Sequence, residues 1–420
     1  MPASRLRWLQ IHQYERFASV RIEFSPHENL LLGVNGAGKT RLLRLLRAVL
    51  NLNYSELLGT AFDLEFAVTV EPTEGESQGS VTVTGRVKNV RGPIADEREH
   101  EFRTTSEFSA TIRCECAGVV VEYEVAGDDV VYRLNDLAEA HQLAGPGDLR
   151  PFLGRATDAA LKLALVSTNP ASTATYLGES EQEFRVLSEG LEYAFIGTRG
   201  TSANVPSNFG GSTRGHLLRD LVPLVTAFRH LAVREEMLRG LDLTWLSELR
   251  KIPFTQLFPA LGMRTIKLIP KVVRLEQREV HCRGIGFESE FVDGTRMTET
   301  ELTFGQRRYL YGGIVSLMHP GAAVLIDEID NGMHPRLLET LLKLWQDRQV
   351  FLVSHNKLVI DYTDFAGPDD VQRKIHIVRR GEDGRQTVDA LAEDVANEVF
   401  NKIDVGIQSP SDVLRAEGLW

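Results

Sequence analysis

The chain has 420 residues, 43% of them hydrophobic and 25% charged, and 47 basic against 58 acidic residues leave a formal net charge of −11. That composition is ordinary for a soluble globular protein of two or three domains, and the acidic balance excludes a surface that is basic throughout, though not a local basic groove. Cys114, Cys116 and Cys282 are too few for a disulfide framework, no apolar signal segment opens the chain, and no apolar run nears the roughly 20 residues of a membrane span, so a cytoplasmic protein is expected.

In chain order, RLRWLQIHQY, SVRIEF and ENLLL predict strands separated by turns, the last turn marked by Ser25-Pro26. Gly33 to Thr40 interrupt the pattern, and RLLRLLRAVL then predicts a helix with Arg41, Arg44 and Arg47 at spacing three. Between 62 and 135, short alternating runs bounded by Gly, Asp or Pro predict an antiparallel sheet of hairpins. Residues 136–263 turn to helical periodicity, as in DLRPFLGRATDAALKLALV, and enclose a Gly/Ser/Thr-rich stretch at 197–216 expected to be a flexible loop. Strand signals return over 264–304. TFGQRRYLYGGIVSLM then predicts a helix, and AAVLID, PRLLETLLKLWQD and QVFLVS alternate strand, amphipathic helix and strand. Continuous apolar strands between helices point to a parallel α/β sheet. The expected division is therefore 1–135, 136–263 and 264–420.

Three stretches carry chemistry. Gly33-Val34-Asn35-Gly36-Ala37-Gly38-Lys39-Thr40 fits G-x-x-x-x-G-K-[ST] in full, after an apolar strand and at the head of a helix. There Asn35, Gly36, Ala37 and Gly38 offer backbone N–H groups to phosphate oxygens, Lys39 reaches the β- and γ-phosphates, and Thr40 is placed to ligate Mg²⁺. Val324-Leu325-Ile326-Asp327-Glu328 is an apolar strand ending in two carboxylates, which need partners if buried. Asp327 suits a metal ion and Glu328 a general base for water. Val353-Ser354-His355 closes a further apolar strand, where His355 could face the γ-phosphate.

The order P-loop, LTFGQ, VLIDE, SH resembles the ABC-type ATPases that include SMC proteins, RecF and the overcoming-lysogenisation-defect (OLD) group. The run Asp327-Glu328-Ile329-Asp330-Asn331-Gly332-Met333-His334-Pro335 is similar to the Asp-Glu-x-Glu-Asn-Gly-Leu-His-Pro of OLD-type proteins. The resemblance covers residues 5–50 and 264–360. It implies an α/β P-loop ATPase head with an antiparallel β subdomain and a helical insertion, binding ATP and Mg²⁺. It further implies a homodimer or higher oligomer in which Lys39, Thr40, Asp327, Glu328 and His355 of one chain face Thr303, Gly305 and Gln306 of the other. Thr303 stands where the family's signature usually has Ser, and no glutamine after the first helix fills the Q-loop place. OLD nucleases carry a Toprim nuclease after the ATPase, and no such acidic cluster occurs in the roughly 60 residues after His355. The implied role is control of a separate nuclease or toxin in anti-phage defence. The alternatives are a RecF-like ATPase that binds duplex DNA and a nucleotide-sensing scaffold with little turnover.

Other features are open to two readings. Arg250, Lys251, Arg264, Lys267, Lys271, Arg274 and Arg278 form a basic stretch that either tracks a phosphate backbone or forms a solvated face. The same choice applies to Arg41, Arg44 and Arg47. Cys114 and Cys116 share a strand face, where packing is the simpler role. Arg307 and Arg308 have no assignment, and Trp420 is either a docking point or a frayed end.

Overall fold

The structure is a computed structural model that describes residues 3–142 (apart from 18, 53, 72–80, 92–105, 117–118, 127–128 and 135–136), 194–196, 241–242 and 253–419 (apart from 277–278, 319–322, 328–331, 355–356 and 407). Two compact units share the chain. The first comprises Met1–Phe195, Pro320–Ile326 and Gln346–Trp420, and the second Ile196–His319 and Asp327–Trp345.

The first unit starts with β1 (Ala3–Tyr14), β2 (Val20–Glu23) and β3 (Glu28–Leu32), then α1 (Lys39–Asn51). β4 (Phe62–Glu71), β5 (Val81–Arg91), β6 (Ser106–Cys116), β7 (Val119–Ala126), β8 (Asp129–Leu134) and β9 (Leu137–Gln142) follow. Eight strands form one sheet in the order β2-β1-β4-β5-β6-β7-β8-β9, with the antiparallel hairpins that the alternating runs predict. β9 departs from expectation, since helical periodicity was read from residue 136. It pairs antiparallel with β8 from Leu134↔Leu137 to Asp129↔Gln142. Cross-strand pairing there overrides the helix preference of its Ala and Glu residues. β10 (Ala194–Ile196) and β11 (Leu241–Asp242) are also short strands, and the rest of 143–252, including the 197–216 loop, lies outside the described residues.

In the second unit α2 (Phe258–Leu261) leads into β12 (Met263–Glu276), β13 (Glu279–Phe291) and β14 (Arg296–Thr298), which with β11 form a four-stranded sheet in sequence order. α3 (Phe304–Met318) and α4 (Pro335–Leu344) complete this unit. Leu337, Leu338, Leu341 and Leu342 recur at helical spacing on the buried face of α4. The Trp345 indole N–H donates to the Ser316 hydroxyl at 2.7 Å, tying the end of α4 to α3. His334 caps α4, its Nδ1 accepting from the Arg336 N–H at 3.3 Å, and Pro335 takes the first helical position. The His-Pro of the acidic run therefore has a local structural role.

β15 (Val324–Asp327), β16 (Val350–Val353), β17 (Ile375–Arg380) and β18 (Gln386–Ala390) return to the first unit, apart from Asp327, and build the α/β sheet in the order β10-β15-β16-β3-β17-β18. β3 is parallel to β16 and to β17. The helices α5 (Lys357–Asp361), α6 (Pro368–Lys374), α7 (Glu393–Asp404) and α8 (Pro410–Ala416) complete the chain. Among the described residues no helix is long and apolar enough to cross a membrane.

α1 is fixed by its side chains. Leu42, Leu43, Leu45, Leu46, Val49 and Leu50 are buried in one core with Leu31, Phe351, Val353 and Val378. Full burial of each leucine is worth about 1.5–3 kcal/mol, whereas the helix N-cap, Gly38, has no side chain to contribute. Buried polar side chains set the register of β3. Gln349 accepts from the Leu6 N–H at 2.7 Å and donates to the carbonyls of Leu6 and Ser25 at 2.7 and 2.8 Å. Asn29 accepts from the Ser25 N–H at 2.9 Å, donates back to the Ser25 carbonyl at 3.0 Å, and meets His376 Nε2 at 3.2 Å. Most polar groups buried this deeply find a hydrogen-bond partner. Together they staple the Ser25–Asn29 turn that leads to the P-loop.

Candidate functional site

The P-loop emerges from the C-terminal end of β3, with all eight residues described. Its glycines are demanded by the backbone. Gly38 sits at φ 114° as the N-cap of α1, and a Cβ there would lie 2.4 Å from the Gln386 side-chain nitrogen. At Gly33 (φ 143°) a Cβ would lie 2.1 Å from the Val378 carbonyl oxygen. No L side chain fits either position. The loop thus closes tightly over β17 and β18, while Asn35 and Gly36 stay exposed.

Lys39 is 5% exposed, and its Nζ donates to the carbonyls of Gly33 and Val34 at 2.7 and 3.0 Å. Its ammonium is thereby drawn back over the mouth of the loop. Ala37 is buried and Thr40 half-buried. No acidic residue occupies the first turn of α1, so the positive end of the helix dipole faces the loop unopposed. These groups fit the phosphates of a nucleotide.

Around this cradle the structure adds residues that sequence reasoning missed. Glu15, in a left-handed conformation at φ 48°, pairs with Arg41 at 2.9 Å. Arg47 pairs with Glu56 at 3.0 Å, so two of the three helix arginines are engaged locally. Gln386, 1% exposed, lies against Gly38. An open cleft of about 800 Å³ between the β1–β2 turn and the β17–β18 hairpin is lined by Arg16, Arg380 and Arg385 with Glu15, Glu382 and Asp383. No sequence signal singles out the cleft residues, which come together where Phe17 bridges Gln386 and the Gln386 N–H donates to the Arg16 carbonyl at 2.8 Å.

The second unit carries the other motifs. Thr303 and Gln306 form a reciprocal capping box: the Thr303 hydroxyl accepts from the Gln306 N–H at 3.3 Å, and the Gln306 side chain accepts from the Thr303 N–H at 2.9 Å. The T-x-x-Q spacing ahead of an apolar helix is the signal that could have shown this. Gly305 is required by contact, since a Cβ there would meet the Gly332 carbonyl oxygen at 2.1 Å. Asp327 is the 9%-exposed last residue of β15, and Arg308 Nη2 donates to its backbone carbonyl at 2.6 Å. Glu328 and His355 lie outside the described residues, although Ser354, immediately before His355, is buried.

The remaining readings divide. Cys114 is buried, and burial pushes its thiol pKa up to about 12, which makes it an unreactive packing residue. In the basic stretch, Arg264 is exposed 3.9 Å from Glu290, while the side chains of Arg250, Lys251, Lys271, Arg274 and Arg278 are outside the described residues, as is Trp420. Among the described residues no group of three or more His, Cys, Asp or Glu could hold a metal ion. A P-loop Mg²⁺ needs only one or two protein ligands besides phosphate and water, and Thr40 and Asp327 have the required chemistry.

Comparison with known proteins agrees in part. A family described as "AAA domain, putative AbiEii toxin, Type IV TA system" matches residues 202–361, the span that holds the signature, the carboxylate strand and His355. No curated protein matches the chain. Among solved structures, the SMC head domain from Thermotoga maritima is similar at 15% identity over 92% of this chain and 99% of that one, with a TM-score of 0.39. The Smc head bound to the C-terminal winged-helix domain of ScpA shows 14% identity over 93% and 99%, at 0.38. The Pyrococcus furiosus Smc head with an extended coiled coil, bound to the C-terminal domain of ScpA, shows 12% over 96% and 100%, also at 0.38. The mixed α/β fold follows from the sheet order, and residues 202–361 are similar to an AAA domain.

Proposed function

We propose that the chain binds and hydrolyses ATP, with two copies closing around the nucleotide. The observation that carries this reading is the phosphate cradle: Lys39 buried, its ammonium held over the loop by the Gly33 and Val34 carbonyls at the positive end of α1. Backbone N–H groups of Asn35 to Thr40 bind the phosphates, and Lys39 stabilises charge on the γ-phosphoryl as it transfers to water. Glu328 takes the proton of the attacking water and His355 stabilises charge on the γ-phosphate. Thr40 and Asp327 would hold Mg²⁺, which would supply positive charge against the phosphates. Thr303, Gly305 and Gln306 of the opposite copy close the site. These roles are supported by motif order and by the resemblance of the motifs to ABC-type ATPases.

The ATP-driven closure has a direct test. With ATP and Mg²⁺, Glu328→Gln is expected to double in mass by light scattering, because it binds nucleotide without consuming it, whereas Lys39→Ala stays at the mass of the nucleotide-free protein. Equal masses for both variants, with and without ATP, reject closure around nucleotide.

The role of the cycle is control of an effector protein, a nuclease or toxin, in bacterial anti-phage defence. Two observations support this: the OLD-like run from Asp327 to Pro335, and the similarity of residues 202–361 to an AAA family described as a putative AbiEii toxin of a type IV toxin–antitoxin system. Turnover unaffected by duplex DNA is the expected result. Turnover stimulated several-fold by DNA would transfer the assignment to the RecF-like reading.

A further inference from the structure

We infer that Arg308 is a positioning residue that couples the signature turn to the catalytic carboxylates of its own chain. The inference rests on the ATPase reading above. Arg308 is 5% exposed, and its Nη2 donates at 2.6 Å to the backbone carbonyl of Asp327, the residue before Glu328. The same helix also touches Gly332, five residues after Asp327. Gly305 packs so closely on Gly332 that a Cβ would lie 2.1 Å from the Gly332 carbonyl oxygen, and the Phe304 ring lies 2.9 Å from where a Cβ on Gly332 would be.

Gly305 and Arg308 are three residues apart and so lie on one face of α3. One helical turn therefore holds both Asp327, which precedes Glu328, and Gly332, which follows it by four residues. Thr303 and Gln306, the proposed contacts to the other copy's nucleotide, form the cap of that same turn. A shift of the cap on meeting a phosphate is transmitted through Arg308 to the Asp327 backbone. Arginine suits the position because its planar, permanently charged fork fixes a carbonyl in direction as well as distance. Lysine keeps the charge and loses the fork.

The account separates from a signature role by mixing variants. In an ATP sandwich, a chain with a defective signature complements Lys39→Ala, because one composite site then takes its P-loop and carboxylates from the first chain and its signature from the second. A chain with misplaced carboxylates cannot. Thr303→Trp mixed with Lys39→Ala is therefore expected to regain turnover. Arg308→Ala mixed with Lys39→Ala is not, although Arg308→Ala alone binds a fluorescent ATP analogue within about threefold of wild type. Arg308→Ala alone should lose at least tenfold in kcat and need more Mg²⁺ for half-maximal rate. Arg308→Lys should recover part of kcat.

Rescue of Arg308→Ala by Lys39→Ala overturns the inference, as does turnover within twofold of wild type. Loss of nucleotide binding in both Arg308 variants also overturns it, since Arg308 is then a folding brace. Absence of turnover in the wild type removes the underlying ATPase reading, a different result from any of these.

Discussion

The two halves of the proposed site are built on different principles. The phosphate cradle of the first unit is made by backbone: glycines at φ 143° and 114° set on β17 and β18, a lysine folded onto loop carbonyls, and a helix anchored by six leucine and valine side chains. The signature and carboxylate half of the second unit is made by contacts between side chain and backbone: a capping box, Gly305 on Gly332, and Arg308 on the Asp327 carbonyl. A cradle of the first kind is fixed before a ligand arrives. A turn of the second kind is held by a few bonds that can be perturbed singly, which is the property a moving part requires.

The comparison makes graded predictions. Gly305→Ala drives a Cβ into the Gly332 carbonyl, so it should destabilise the second unit by up to about 3 kcal/mol, measured by urea unfolding. The equivalent loss cannot occur at Gly36, where a Cβ meets nothing within 4 Å and only the φ of 80° opposes it. Gly36→Ala costing more than Gly305→Ala would contradict the Gly305–Gly332 contact as the source of that loss.

A smaller effect belongs to the first unit alone. His376 is fully buried, and burial lowers its pKa from the usual 6.5 to about 4. Between those values the unfolded chain binds the proton and the folded one does not, so stability falls as pH drops from about 6.5 towards 4. From pH 7 to pH 5 the loss should be about 2 kcal/mol. His376→Asn should flatten that part of the curve; an unchanged slope would mean another group sets it. Smallest is Thr303→Ala, which removes one arm of the capping box and should cost about 1 kcal/mol, read as a modest drop in melting temperature.

What the sequence made legible follows the same divide. The P-loop was readable because its geometry is local: eight consecutive residues specify the turn, and the strand before and helix after confirm it. The hairpins of β4 to β8 were readable from their period of two. β9 was not, because its Ala and Glu favour a helix and only the neighbouring β8 decides otherwise. For the signature, the resemblance marks Thr303 and Gln306 as phosphate contacts, while their mutual cap is legible locally from the T-x-x-Q spacing. Gly305 and Arg308 acquire their meaning from Gly332 and Asp327, 27 and 19 residues on respectively, and no periodicity announces such a contact. Gln386 and the cleft arginines are further examples, assembled where Phe17 bridges Gln386.

The central claim is that the cradle serves ATP hydrolysis, and phosphate release from Mg²⁺·ATP measures it directly. Wild-type protein should turn over, Lys39→Ala should fall by at least about 100-fold, and Glu328→Gln should bind nucleotide but release almost no phosphate. Turnover that persists unchanged in both variants, or that is absent from the wild type while nucleotide still binds, would contradict the account.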